Sequence, residues 1–124
     1  LIMNPTPPSR IELLEMSARL DDSLPNATQC VKEVHEEVHD AYSSSTIPND
    51  FLYLLTEMDD ALEGAYSHKE KADYLLKVEV TANPEKYGIA YIHYMRAKTE
   101  VSCSYRTIGK IRRRLSRLRC LGLL

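Results

Sequence analysis

Three observations predict an all-α protein. Apolar residues recur at spacings of three and four along most of the chain. Two Ser-x-x-Glu capping boxes mark helix starts. The single stretch with strand-like alternation has no partner strand in view, and a lone strand cannot satisfy its backbone. The expected architecture is five or six helices in an antiparallel bundle or as stacked helical hairpins, ending in a basic amphipathic helix.

The elements follow in order. Asn4-Pro5-Thr6-Pro7-Pro8 cannot start a helix, so residues 1–8 read as an extended Pro-rich arm. Ser9 and Glu12 form the first capping box. Ile11, Leu14, Ala18 and Leu20 continue it at near-helical spacing, Leu13 and Leu24 widen the stripe, and Pro25 is expected to end that helix. Ala27, Val31, Val34, Val38 and Ala41 place a second helix at about 26–42. Ser43-Ser44-Ser45-Thr46 reads as a loop.

Ile47-Pro48-Asn49-Asp50 is a start signal, an apolar residue ahead of an Asn or Asp cap. Phe51, Leu54, Leu55, Met58, Leu62, Ala65 and Tyr66 then form the clearest apolar stripe of the chain. Gly64 weakens the end of this third helix, and Ser67 with Glu70 makes the second capping box.

The fourth segment reaches about Ala82. Tyr74, Leu75, Val78 and Ala82 fit a helix, although Lys77-Val78-Glu79-Val80-Thr81 alternates as a strand would. Asn83-Pro84-Glu85 opens a fifth helix with proline at its first position. Val101 to Ser104 is expected to break it, and a sixth helix follows from about Tyr105 to Leu121. The chain thus divides into the arm at 1–8, an acidic helical bundle at 9–82 and a basic helical hairpin at 84–124 packed on the same domain.

Charge is distributed unevenly. The 124 residues carry 16 Lys/Arg and 18 Asp/Glu, a net charge of −2. Residues 1–88 hold 7 of the cations and 17 of the acids, whereas residues 89–124 hold 9 cations and Glu100 alone. Such a split points to an electrostatic partner for one half, or to pairing between the halves. Three cysteines without Cys-x-x-Cys spacing argue against a disulfide framework and a cysteine zinc site. They suggest a reducing, intracellular compartment, cytoplasmic or nuclear. The first ten residues lack the apolar core of a signal peptide, and no apolar run is long enough to span a membrane.

Three features bear on function. His35-Glu36-Glu37-Val38-His39 matches His-Glu-x-x-His, in which two histidines one turn apart hold zinc and the glutamate acts as base. Its charged neighbours Glu37 and Asp40 suit a solvated face better than a zinc cleft, and His68, Glu57 or Glu63 would have to supply a third ligand. Tyr87, Tyr91 and Tyr94, with His93, combine aromatic and basic groups that can stack on bases. They spread around a helix and so read more readily as the wet edge of a core.

The third feature is the C-terminal helix. Ile108, Ile111, Leu115 and Leu118 make an apolar seam. Arg106, Lys110, Arg113 and Arg117, at i, i+4, i+7 and i+11, make a basic stripe opposite it, with Arg112, Arg114 and Arg119 flanking the seam. Guanidinium forks suit phosphates and carboxylates.

The favoured reading is a non-enzymatic regulatory or adaptor protein, without metal or cofactor. It binds nucleic acid through Arg106, Lys110, Arg113, Arg114 and Arg117. The alternative is a protein–protein interaction module, in which the basic helix packs on Asp59, Asp60 and Glu63 or on an acidic partner. A second copy of the chain is a further candidate partner. A small zinc hydrolase built on His35 and His39 is the third reading, and a helix-turn-helix arrangement of the last two helices is a generic resemblance only.

Overall fold

The computed structural model describes residues 7–79 and 85–124. Three long α-helices account for most of them. They are α1 (Arg10–Ala41, 32 residues), α2 (Asn49–Tyr74, 26 residues) and α3 (Lys86–Cys120, 35 residues). A five-residue π-helical turn, Leu75–Glu79, extends α2. The all-α class holds, and the count of five or six helices does not. Residues 1–6, and the 80–84 portion of the strand-like segment and of the Asn83-Pro84 start signal, lie outside the described residues.

The chain runs up, down and up. Polar contacts along α2 fix its direction against both neighbours. Asp50 lies beside Arg114, Met58 beside Ser104 and Asp73 beside Tyr94, so α2 and α3 are antiparallel. Ser17 meets Asp73 and His35 meets Asp59, so α1 and α2 are antiparallel too. Arg112 reaches Glu33 and Glu37, which sets α1 parallel to α3.

One core follows the shared seam in two stretches. The first joins Leu13, Leu20, Leu24, Ala65, Leu76 and Tyr94; the second joins Val31, Val34, Phe51, Met58, Ile111 and Leu115. Leu62 packs against both. Each large side chain buried here is worth about 1.5–3 kcal/mol. A side chain added at Gly64 would meet the Glu100 carboxylate at 3.2 Å, so the Glu100 side chain would have to shift slightly to admit it. Buried Ser104 donates to the Met58 carbonyl oxygen at 3.3 Å.

The expected breaks fail for one reason, which is that packing outweighs local preference. Pro25 lies inside α1. It removes one hydrogen bond to the carbonyl of Asp21, but both residues are exposed, so water can replace that bond, while Leu24 and Ala27 on the opposite face are buried. Val101 to Ser104 continues α3 because Val101, Ser104, Thr107 and Ile108 all face the core. Unfavourable propensities of a few tenths of a kcal/mol per residue do not stop such a helix. Residues 86–120 are therefore one helix, neither the basic hairpin nor the helix-turn-helix that the sequence suggested.

Of the two expected capping boxes, only the first marks a helix start, with Ser9 as the N-cap of α1. Ser9 accepts from the Glu12 N–H at 3.1 Å and its hydroxyl donates to the Glu12 carboxylate at 3.2 Å. Ser67 and Glu70 lie within α2. The N-cap of α2 is Pro48, with no side-chain cap, in place of the expected Asn or Asp. Asp50 instead accepts from the Phe51 N–H at 3.0 Å.

A polar knot ties all three helices at one level. The Asp73 carboxylate accepts from the Tyr94 hydroxyl at 2.5 Å, the Ser17 hydroxyl at 2.8 Å and the Lys69 ammonium at 2.6 Å. Lys69 also pairs with Asp21 at 2.8 Å. Burial alone would raise the Asp73 pKa, but the bonds from Lys69, Tyr94 and Ser17 outweigh it and hold the group below its usual value. Burial, then the bond to Asp73, pushes the Tyr94 hydroxyl well above the usual tyrosine range. For Lys69 burial acts downward, and Asp21 and Asp73 together overcome it.

Two substitutions test this account by urea unfolding. Tyr94→Phe removes a donor from a charged acceptor and is expected to cost about 2 kcal/mol. Pro25→Ala restores the α1 hydrogen bond and is expected to add about 1–2 kcal/mol, the lost stiffness of the unfolded chain offsetting part of the gain.

Candidate nucleic-acid interface

The last four turns of α3 sort their cations by position around the helix. Ile108, Ile111 and Leu115 are buried and Leu118 is half-buried, as the seam requires. Arg112 and Arg114 flank that seam and are drawn to the body. Arg112 donates to Glu37 at 3.1 Å and lies 3.7 Å from Glu33. The bond to Glu37 outweighs burial and raises the pKa of this guanidinium further. Arg114 pairs with Asp50 and stacks over the Phe51 ring, 5.5 Å from its centre. Arg114, which flanks the seam and is among the nucleic-acid-binding residues expected from the sequence, is paired here with the body.

Arg106, Lys110, Arg113 and Arg117 occupy the opposite face and are all exposed. No ion pair with a described residue engages any of the four. Eleven residues of helix separate the first from the last, about 16 Å along the axis. The stripe is held firmly, because both flanks of the same segment are tied to α1 and α2.

The acids that receive this helix are Glu33, Glu37 and Asp50. They are not Asp59, Asp60 and Glu63, which the sequence offered. Asp59 is engaged by His35, and Gly64, not Glu63, meets Glu100 of α3. The signal that could have separated the two sets of cations was available: on a helical wheel Arg112 and Arg114 lie about 80° to either side of the mean direction of the seam, and the other four lie about 120° or more from it.

The helix ends cleanly. Gly122 takes φ +71, which L residues other than glycine rarely adopt, and the Leu123 N–H donates to the Leu118 carbonyl at 2.9 Å. Leu121 and Leu123 beyond the stripe are 65% and 67% exposed.

The remaining sequence candidates are dispersed. The His35 ring nitrogen sits 2.8 Å from Asp59, and His39 stacks beside it with ring centres 6.4 Å apart. Among the described residues, no group of three or more His, Cys, Asp or Glu side chains is placed to hold one metal ion. His68, one candidate third ligand, is engaged elsewhere, with its Nδ1 3.0 Å from that of His93. Tyr94 is buried, Tyr87 half-buried and Tyr91 exposed, so the three tyrosines form no shared stacking platform. Cys30 and Cys103 are half-buried and Cys120 is exposed, all three free. No helix among the described residues is long and apolar enough to cross a membrane.

Comparison with family models, with curated proteins and with solved structures found no match.

The histidine pair gives a pH signature. Burial, with the nearby His68, Lys71 and Arg96, lowers the His93 pKa below its ordinary value of 6.5. The unfolded chain then binds this proton more readily than the folded one. Stability is therefore expected to rise with pH from the depressed folded value up to about 6.5, and to fall on acidification through that window. Urea midpoints across it should show the slope, and His93→Gln should flatten it. An unchanged slope in the variant would assign the effect to other groups.

Proposed function

We propose that this protein binds nucleic acid through the outer face of α3, as a non-enzymatic regulatory or adaptor protein. The observation that carries the reading is the set of four exposed cations, Arg106, Lys110, Arg113 and Arg117, unpaired within the described residues and aligned on one helix face. Arg112 and Arg114 spend their charge on the body, so the anchoring and the binding groups are separate. Three of the four are arginines, and guanidinium forks match phosphate oxygens. With the acids gathered on the rest of the molecule, a polyanion is steered to this face. The contacts are to phosphates and carry no sequence preference of their own.

Salt dependence reads the number of contacts. Four phosphate contacts on duplex DNA give a log–log slope of about −3 to −4. The double change Arg113→Glu and Arg117→Glu is expected to weaken binding on every sequence, flatten the slope by about 2 and move stability by only about 0.5 kcal/mol. Arg114→Ala should do the reverse, lowering stability and leaving the slope unchanged. A parent protein without salt-dependent binding to duplex or single strand, or a double variant that binds as the parent does, overturns the proposal and favours a module that contacts proteins alone.

A further inference from the structure

α2 covers one side of the α1–α3 pair and leaves the other side open. A groove of about 530 Å³ runs there between the two parallel helices. Its floor is apolar, formed by Met16 and Leu20 of α1 and by Tyr91, Met95 and Val101 of α3. Tyr91 and Met95 remain 39% and 37% exposed. Its rim is charged, with Glu12, Glu15 and Arg19 from α1 and Lys98 from α3.

The order of these groups along the groove is what matters. Ser17 and Tyr94 meet on the same carboxylate, so residue 94 of α3 stands level with residue 17 of α1. Arg112 beside Glu33 and Glu37 gives nearly the same offset. Counting from that pair, Glu12 and Glu15 lie below the apolar centre and Arg19 and Lys98 above it. Met16 and Met95 lie between, while Tyr91 stands level with the acids and Leu20 and Val101 level with or beyond the bases. Acid and base are thus about 10 Å apart on either side of an apolar midpoint, at 1.5 Å per residue. Glu15, Arg19 and Lys98 have no ion-pair partner among the described residues, while Glu12 is engaged only with Ser9.

A surface with this order is complementary to itself turned end for end. We propose that the groove is the interface of a homodimer whose two-fold axis crosses it near Met16. Two-fold symmetry is the commonest way for a chain to associate with itself, and it requires one patch to match its own copy. The axis sets α1 antiparallel to α1 of the second copy, and α3 to α3. Each Glu15 then faces the second copy's Arg19, and each Glu12 comes within reach of its Lys98. Met16 and Met95 close on their counterparts between the two ionic borders, with Tyr91 beside the acids. Methionine suits such a junction because its unbranched chain fills irregular gaps. The inference is independent of the basic stripe, which lies on another part of α3.

Sedimentation equilibrium tests it, with a charge exchange as the decisive arm. The full chain is expected to be dimeric at roughly 100 µM and to dissociate on dilution below the micromolar range. Glu15→Arg alone and Arg19→Glu alone place like charges across both borders. Each should weaken self-association by about tenfold or more, the factor that corresponds to some 1.4 kcal/mol. Their circular dichroism should stay that of the parent, since both positions are exposed. Mixed in equal amounts, the two variants regain opposite charges at both borders and should form a heterodimer. Met95→Asp should abolish dimers through the apolar floor. A parent that is monomeric at roughly 100 µM, single variants that dimerise as the parent does, or a mixture that fails to pair would each overturn the proposal.

Discussion

Register is the constraint on which this bundle depends. Long amphipathic helices can slide by a turn, about 5.4 Å, and still bury one aliphatic side chain against another. The Asp73 knot forbids that slide. Its carboxylate is satisfied only when Ser17 of α1, Tyr94 of α3 and Lys69 of α2 itself converge at one level. A shift of any helix strands a charged or hydroxyl group in a partly buried place, at a cost of about 1–3 kcal/mol or more for each. A polar cluster of this kind adds little net stability over an apolar one and instead selects one alignment among several.

That alignment propagates along α3. Once Tyr94 is fixed, Glu100 comes opposite Gly64, Ser104 opposite the Met58 carbonyl, and Arg114 opposite Asp50. Each is a small-residue or polar match that would fail one turn away. At the far end the same register brings Arg112 to Glu33 and Glu37. The direction of the stripe is therefore tied to the contact at Tyr94, which lies 12 residues before Arg106 and 23 before Arg117. The order of charges along the α1–α3 groove has the same origin, because it depends on residues 17 and 94 standing level.

Much of this was legible in the chain and some was not. Helical periodicity gave the class and most core positions of α2 and of α1 from Leu20 onward, and residue type gave the Ser9 cap and the loop at 43–46. Ile11, Leu14, Ala18 and Tyr66, placed on the apolar stripes, are exposed. The seam of Ile108, Ile111 and Leu115 was read correctly from spacing. Helix ends were misplaced where a local signal competes with packing. Pro25 and the β-branched and Ser-rich stretch at 101–104 both argue for breaks within a window of a few residues. Each is overruled by core contacts made with residues forty or more positions away, which no local window contains. The ion pairs of Arg112 and Arg114 were missed for a related reason: choosing their acids requires knowing which helix lies beside α3 and in which direction it runs.

The division of labour among the α3 arginines bears on whether an acidic body could cancel a basic stripe. The first 88 residues hold 17 of the 18 acids, and a uniform mixture of charge would leave α3 little field of its own. Distance and screening decide otherwise. Neighbouring helix axes lie about 8–10 Å apart, and the outer side chains of α3 project several ångströms beyond its own axis. Most acids on the far faces of α1 and α2 are therefore further from the stripe than the Debye length of about 8 Å at physiological salt. The nearer acids, Glu33, Glu37 and Asp50, are consumed by Arg112 and Arg114. What remains at close range on the outer face is Arg106, Lys110, Arg113 and Arg117. The buried seam holds the helix in place, and the two flanking arginines neutralise the acids that would otherwise weaken the field of the four beside them.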